Sequence, residues 1–257
     1  MKTSILLIST TIAIISLPAF SYLTKSETPT TCSRAPKEII KEPKFPFFYD
    51  YGTRFGGITK ETIRNAKFVT DFFPKEHAER IVSYDKVKLV IINDQGQSDE
   101  RIYSKGKTLT EAQRKLLLSL NYSTSFNLRA DCTHRNPETG EIESSFYSPH
   151  LTIVPEKQAV YLDGKEALLD YLIKGSKKEK KIAHQQEKLR PAKLFFIVTK
   201  NGSITNVRIG NHSGYEPIDK KLIKLVKELP GKWQAAENDK GEKIDQEFTI
   251  SYGLEGC

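Results

Sequence analysis

Residues 194–203 read Leu194-Phe195-Phe196-Ile197-Val198-Thr199-Lys200-Asn201-Gly202-Ser203, and this stretch decides the fold of the C-terminal part of the chain. Its first five residues are apolar and favour a β-strand. Asn-Gly between apolar runs is typical of a β-hairpin, because both central positions of the turn tolerate positive φ. After the turn, Thr205, Val207 and Ile209 alternate with polar residues, which is the period of a half-buried strand. The stretch therefore predicts an antiparallel hairpin.

A helix and a last strand are predicted after the hairpin. Glu216-Pro217 places a proline at the helix start, and Pro230-Gly231 ends the helix. Between them, apolar residues recur at helical spacing: Ile218, Leu222, Leu225, Val226 and Leu229. Near the C-terminus, Phe248, Ile250 and Tyr252 alternate with Glu247, Thr249 and Ser251. These periods predict a β-β-α-β unit in which one helix covers one face of a small antiparallel sheet.

This order of elements resembles the TonB C-terminal-domain family. The resemblance covers about 90 residues, from Glu166 to Gly253, in the elements that the periods define. Its matching pieces are the hairpin Phe196–Ile204, the loop Ser213-Gly214-Tyr215, Ile218-Asp219 at the helix start, the helix exit Leu229–Ala236 around Trp233, and the preceding helix Asp163–Leu172. The resemblance implies that residues 190–257 form a binding domain.

In that family the domain recognises outer-membrane transporters, whose short extended segment adds a strand to the sheet. An exposed edge strand offers unpaired N–H and C=O groups that a partner peptide completes. Carried over to this chain, the resemblance implies that the partner-binding edge is the last strand, formed by Gln246, Glu247, Phe248, Thr249, Ile250, Ser251 and Tyr252. The alternative is an ordinary strand that pairs internally or is covered.

The chain departs from the energy-transducing members of the family in three ways. Those members carry a His-containing membrane helix, whereas residues 4–20 contain no His. They also have a long Pro-rich segment, whereas residues 22–49 hold only scattered prolines. Leu189-Arg190-Pro191 stands where a Tyr-Pro pair usually enters the first strand. The resemblance therefore implies a binding fold, with an atypical energy transducer for outer-membrane transport as one role within it.

Residues 50–155 are predicted to form a separate, β-rich N-terminal domain. Thr59 is a candidate helix cap, and Thr110-Glu111-Ala112-Gln113 is a capping box. Strand-period alternation occurs around Leu89 and Leu128. This region resembles the C-terminal domain of the gliding-motility protein GldM through Gly57–Glu61, Leu109–Gln113 and Leu151–Pro155. That resemblance implies a β-rich envelope domain, and hence an alternative role as a structural, gliding or secretion-associated component without energy coupling.

Residues 156–189 are predicted to connect the two domains. Gly164 to Ile173 has a helical pattern with an apolar side. Gly175 to Lys188 is dense in Lys and poor in apolar residues, which is typical of a solvated connector. The alternative for this Lys-rich run is a segment that binds anionic lipid or lipopolysaccharide.

The N-terminus predicts export to the periplasm. Met1-Lys2 precedes an apolar run from Ser4 to Phe20, and Ala19-Phe20-Ser21 fits a signal-peptidase site. We therefore predict a signal peptide over residues 1–21 and an extended tether over residues 22–49. The alternative is an uncleaved inner-membrane anchor, because the apolar run reaches the lower limit of bilayer-spanning length.

The net charge bears on the class of partner that the protein binds. The chain carries a formal net charge of +8, and export leaves little opportunity to meet nucleic acid. The basic charge is therefore expected to face anionic envelope surfaces or nothing specific.

One disulfide is predicted between Cys132 and either Cys32 or Cys257, and three free thiols are the alternative. No cysteine spacing is of a metal-binding type.

The sequence predicts neither an enzyme, a cofactor nor a metal. The five histidines are isolated from one another and from any nucleophile motif: His77, His134, His150, His184 and His212. A glycine-rich phosphate loop is absent from the sequence. We therefore expect an exported α+β protein that binds an outer-membrane transporter or another envelope protein, with peripheral or N-terminal membrane association.

Overall fold

A computed structural model of the chain describes residues 47–94, 96–185 and 189–254, and the fold is mixed α+β, as predicted. The predicted signal peptide and the first part of the predicted tether, through residue 46, lie outside the described residues. Within the described part of the chain, no helix has the length and apolar character needed to cross a bilayer.

The strands are β1 (Phe47–Gly52), β2 (Gly56–Thr59), β3 (Ile81–Asn93), β4 (Gly96–Ser104), β5 (Ser125–Arg135), β6 (Ile142–Tyr147), β7 (His150–Val154), β8 (Val160–Tyr161), β9 (Ala192–Val198), β10 (Ile204–Asn211), β11 (Trp233–Gln234), β12 (Ala236–Glu237), β13 (Lys243–Ile244) and β14 (Gln246–Leu254). The helices are α1 (Lys60–Asn65), α2 (Lys75–Ala78), α3 (Glu111–Ser119), α4 (Lys165–Gly175), α5 (Lys177–Gln185) and α6 (Glu216–Lys227).

The large sheet has the strand order β2-β7-β5-β3-β4, with β6 beside β5. All of its pairs are antiparallel except the β2–β7 pair. Val87 and Leu89 on β3 and Phe126 and Leu128 on β5 are fully buried in one core. The predicted caps are confirmed: the Thr59 hydroxyl accepts from Thr62 N, and Thr110 and Gln113 form a capping box. Local sequence signals thus place both helices that cover this core.

The small sheet has the strand order β1-β14-β9-β10 and is antiparallel throughout. Helix α6 starts with a proline in its first turn, as predicted, and buries Ile218, Leu222 and Val226 against the sheet. Two residues of α4, Leu168 and Leu172, complete the same core. The short pairs β8–β11 and β12–β13 extend this half of the molecule.

The hairpin β9–β10 forms where the sequence places it, but its turn differs from the expected one. Gly202 has φ +76°, while Asn201 stays in the ordinary region of negative φ. A Cβ at Gly202 would also approach Trp233 O, so both backbone and space require glycine here. After the turn, Asn206 adopts φ +49° and the β9–β10 register shifts between Thr205 and Arg208.

Two sequence-based boundaries are corrected. Residues 47–49 were assigned to the tether, and residues from 50 onward to the N-terminal domain, but 47–52 form β1 of the small sheet. The reason is packing: Phe47, Tyr49 and Tyr51 contact the small-sheet core. The Lys-rich run was interpreted as a connector, yet Lys177–Gln185 is helical, with Ala183 1% exposed.

Candidate functional site

Strand β14, which the family resemblance implied as a candidate partner-binding edge, is an inner strand of the small sheet, as the alternative of an internally paired strand expected. On one side it pairs with β9, from Gln246 opposite Val198 to Tyr252 opposite Ala192. On the other side it pairs with β1 without a register break, from Thr249 opposite Gly52 to Leu254 opposite Phe47. The prediction of an open edge is therefore wrong, because a strand from the opposite end of the described chain occupies it.

Alternate side chains of β14 lie in the core, as predicted. Phe248 and Ile250 are 3% and 1% exposed. The Phe248 ring contacts the rings of Phe196, Trp233 and Tyr51 at centroid distances of 5.8, 5.5 and 5.3 Å. Trp233, which the sequence places in the helix exit, is part of this aromatic cluster. The cluster joins β14, β9 and β1 to the segment that follows α6.

Tyr252 ties the end of β14 to the start of α6. Its hydroxyl donates to Asp219 Oδ1 at 2.7 Å, and both side chains are buried. The same carboxylate accepts from Ser213 N at 3.3 Å and lies 3.1 Å from His212 Nδ1. Burial and the neighbouring carboxylate raise the pKa of Tyr252 well above its ordinary value. Asp219, which the sequence marked only as part of the helix start, thus closes the loop before α6 onto β14.

The opposite face of β14, which carries the polar residues Glu247, Thr249 and Ser251, is covered as well. Thr249 is only 3% exposed, and its hydroxyl finds no hydrogen-bond partner among the described residues. Glu247 lies 2.7 Å from Arg208 Nη1, with its side chain 18% exposed. Ser251, the third polar residue of this face, is half-buried. Alternation of polar and apolar residues distinguishes the two faces of a strand, but it does not show whether a second layer of residues covers the polar face.

That second layer contains cations around a buried ring. The guanidinium groups of Arg54 and Arg208 lie 5.3 and 4.9 Å from the ring centroid of Phe195 on β9. Both arginines also form ion pairs with Asp94 in the β3–β4 turn, at 3.2 Å each. The polar face of the small sheet is therefore covered by Arg208 of β10 together with Arg54 and Asp94, which the sequence assigned to the N-terminal domain.

The first residues of β14 are held by hydrogen bonds instead of by β1. Gln246 is 1% exposed; its Oε1 accepts from Ala159 N at 2.7 Å, and its Nε2 donates to Gln158 Oε1 at 3.0 Å. The backbone N–H of Glu247 donates to Ser123 Oγ at 3.0 Å. Nothing in the sequence indicated these contacts, because they join residues far apart in the chain.

Side chains of β1, the strand beside β14, make specific contacts with the rest of the molecule. The Tyr49 hydroxyl lies 2.6 Å from Ser176 Oγ, and the Asp50 carboxylate lies 2.7 Å from Lys165 Nζ. Tyr51 packs edge-on against Trp233 at 5.8 Å. Burial raises the pKa of Tyr49 and of Tyr51 to about 12. No residue of β1 is fully buried, whereas most residues of β9 are.

The outer edges of the small sheet are β1 and β10. Strand β10 is a poor template for a further strand, because two register irregularities interrupt its pairing with β9. The pairing of β1 with β14 has no such irregularity. Of the two outer strands, β1 is therefore the one whose pairing with its neighbour is regular.

Cys132, the central residue of the predicted disulfide, lies on β5, is 1% exposed and forms no disulfide with another described residue. Burial and the nearby carboxylates of Asp85 and Asp131 raise the pKa of this thiol. Cys32 and Cys257 lie outside the described residues, so the predicted pairing stays a prediction.

Comparison with known proteins does not assign the site to a family. No family model matches this chain, and neither the curated proteins nor the solved structures compared with it give a match.

Proposed function

We propose that this chain is an exported envelope protein that binds another envelope protein by strand addition at β14, and that β1 occupies this site until the partner displaces it. The resemblance to the TonB C-terminal domain over the hairpin, α6 and the last strand supports this function. The proposal concerns binding and not energy coupling, because residues 4–20 lack the His of a proton-coupled membrane helix.

The observation that carries the proposal is the β1–β14 ladder. Six consecutive residue pairs join β14 to a segment from the other end of the described chain. Strand addition supplies main-chain hydrogen bonds whatever the side chains are, so an edge that accepts one extended segment also suits another of matching pattern. The ladder is thus an intramolecular example of the binding mode proposed for the partner.

The contacts of β1 define the chemistry of a competing segment. Tyr49 and Tyr51 enter the core beside Ser176 and Trp233, and the intervening Asp50 reaches Lys165. A partner segment would therefore carry aromatic residues two positions apart with an acidic residue between them. Because β1 is tethered, its effective concentration at the edge is on the order of millimolar or higher, and a partner must exceed that.

The proposal is tested by weakening β1 and supplying a strand in trans. In the variant Tyr49→Ala/Tyr51→Ala, the internal strand loses two of the three side chains by which it packs on the core. A fluorescent peptide with the sequence of residues 44–53 should then bind the variant at least about tenfold more tightly than it binds the unaltered chain, because the tethered competitor is weaker. Fluorescence anisotropy measures both affinities.

Two controls keep this result specific. Leu117→Ala, in the core of the large sheet, destabilises the chain without touching β1 and should leave peptide binding unchanged. A peptide with proline at both the Asp50 and Tyr51 positions should not bind, because one of two successive strand N–H groups faces β14 and proline cannot donate to a ladder. If the double variant remains folded by circular dichroism and still binds no peptide, β14 is not a strand acceptor.

The location is tested separately. If Ala19-Phe20-Ser21 is cleaved, N-terminal sequencing of the protein from a periplasmic fraction should begin at or near Tyr22. Recovery of Met1 in a membrane fraction would instead support the uncleaved anchor and return the energy-transducer role to consideration.

A further inference from the structure

The large sheet presents an open face that the proposed strand addition does not use. Strand register places the members of this face on the same side. Tyr103 of β4 lies opposite Lys88 of β3, which lies opposite Arg129 of β5. Two pairs further along, and so on the same face, Lys86 of β3 lies opposite Asp131 of β5, which lies opposite Phe146 of β6. Near the end of β5, Arg135 lies opposite Ile142 of β6.

We call this set the outer cationic face: Lys86, Lys88, Arg129, Arg135, Asp131, Tyr103, Phe146 and Ile142. It spans strands β4, β3, β5 and β6, which is about 14 Å across at the usual strand spacing. Along β3 the same side becomes covered, since Val90 and Ile92 are 0% and 8% exposed. The open part is therefore confined to one end of the sheet.

Its charge is mostly positive and only partly compensated. Asp131 is bound by Arg129 at 2.8 Å, and Arg135 donates to the Gly140 carbonyl oxygen. Neither Lys86 nor Lys88 has a carboxylate within ion-pair distance in the described part of the chain. Four cations thus share one face with a single carboxylate that is already paired.

The margins of the face expose large apolar groups. Tyr103, Phe146 and Ile142 are 50%, 54% and 55% exposed. Cations lie over both rings: Lys86 Nζ is 4.4 Å from the centroid of Tyr103, and Arg129 Cζ is 4.0 Å from that of Phe146. Half-exposed rings beside cations match an interface that is charged at its surface and apolar just beneath it.

We propose that the outer cationic face docks the protein onto an anionic lipid surface, with the four cations at the headgroups and Tyr103, Phe146 and Ile142 at the acyl boundary. Charge complementarity supports this occupant, because each Lys or Arg near an anionic bilayer contributes on the order of 1 kcal/mol and a planar surface engages all four together. The cations over the rings argue against single-stranded nucleic acid, since bases would need those ring faces for stacking.

The site differs from the one that the sequence suggested for anionic lipid, which was the Lys-rich run now seen in α5. Lys177 and Lys178 of α5 are exposed and lie outside the outer cationic face. This gives a matched control, because Lys86→Gln/Lys88→Gln and Lys177→Gln/Lys178→Gln change the net charge equally at the two competing places.

The experiment measures binding of residues 22–257 to vesicles, so that the apolar N-terminal run does not bind them by itself. Vesicles of phosphatidylcholine with 30% phosphatidylglycerol should bind the protein at 0.1 M NaCl, and vesicles of phosphatidylcholine alone should not. Lys86→Gln/Lys88→Gln should weaken binding by about tenfold or more, and Phe146→Ser should weaken it further, while Lys177→Gln/Lys178→Gln should change it less than about twofold.

Three outcomes overturn the proposal. Equal loss in the two lysine double variants would mean that net charge alone drives binding. Loss only in Lys177→Gln/Lys178→Gln would assign the lipid contact to α5. Binding of a 20-residue oligothymidylate that depends on Lys86 and Lys88, without vesicle binding, would make the face a nucleic-acid surface. Peptide binding at β14 is measured in solution without lipid, so each proposal stands or fails by itself.

Discussion

The two sheets of this molecule differ in which of their surfaces are available. The small sheet is covered on one face by α4 and α6 and on the other by Arg54, Arg208 and their neighbours, so Thr249 is buried on its polar side. One face of the large sheet packs into its hydrophobic core, while the outer cationic face stays open. A sheet covered on both faces leaves a backbone edge as its accessible surface, whereas a sheet with an open face also exposes side chains.

The largest expected effect separates buried from exposed aromatic residues in the two sheets. Phe248→Ala in β14 should lower the free energy of unfolding by about 3–5 kcal/mol, because it removes a ring that contacts three others in the core. Phe146→Ala on the outer cationic face should change it by less than about 1 kcal/mol. Urea denaturation measures both, and similar losses would contradict the exposed placement of Phe146.

Alkaline pH should loosen the small sheet through β1. The pKa of Tyr49 and of Tyr51 is raised from 10.0 to about 12 by burial, so the unfolded chain releases these protons first as the pH rises. Their contribution to stability is complete below pH 10 and is lost progressively toward pH 12. Urea titrations across this range should show the decrease. The variant Tyr49→Phe/Tyr51→Phe should show a flatter profile, and an unchanged slope would place the titrating groups elsewhere.

A smaller loss should follow from cutting the hydrogen bond between β14 and α6. Tyr252→Phe removes the donor to Asp219 Oδ1, leaving a buried carboxylate oxygen with less compensation, which costs about 1–3 kcal/mol. Tyr103→Phe, on the half-exposed outer face, is the matched control and should lie within about 0.5 kcal/mol of the unaltered chain. Thermal denaturation compares the two. Equal stability of Tyr252→Phe and the unaltered chain would mean that this hydrogen bond does not stabilise the small sheet.

The smallest effect tests whether the polar face of the small sheet is dry. Thr249→Val should be neutral or stabilising by up to about 1 kcal/mol, because the buried hydroxyl has no partner among the described residues. Thr152→Val in the large sheet should instead cost about 1–3 kcal/mol, because its hydroxyl accepts from Phe55 N and bonds Ser125 Oγ. Chemical denaturation measures the free energy of unfolding of both variants. A large decrease in Thr249→Val would mean that the Thr249 hydroxyl has a hydrogen-bond partner.

The sequence by itself determined the local elements. The helix starts at Thr59, Thr110 and Pro217 follow from capping and proline chemistry, and all three are found. The β9–β10 hairpin and the alternation of β14 are also found. These features depend on residues within a few positions of one another, so short-range patterns are sufficient to predict them.

Only the tertiary structure decided which strand neighbours which and which faces are covered. The alternation of polar and apolar residues in β14 is the same whether its edge is open or paired. No local pattern therefore indicates that residues 47–52 pair with it. Likewise, polar alternation at Thr249 does not reveal the arginines that close that face. The physical reason is that strand partners and second layers come from distant segments, whose contacts are selected by packing of the whole chain and not by the period of either strand.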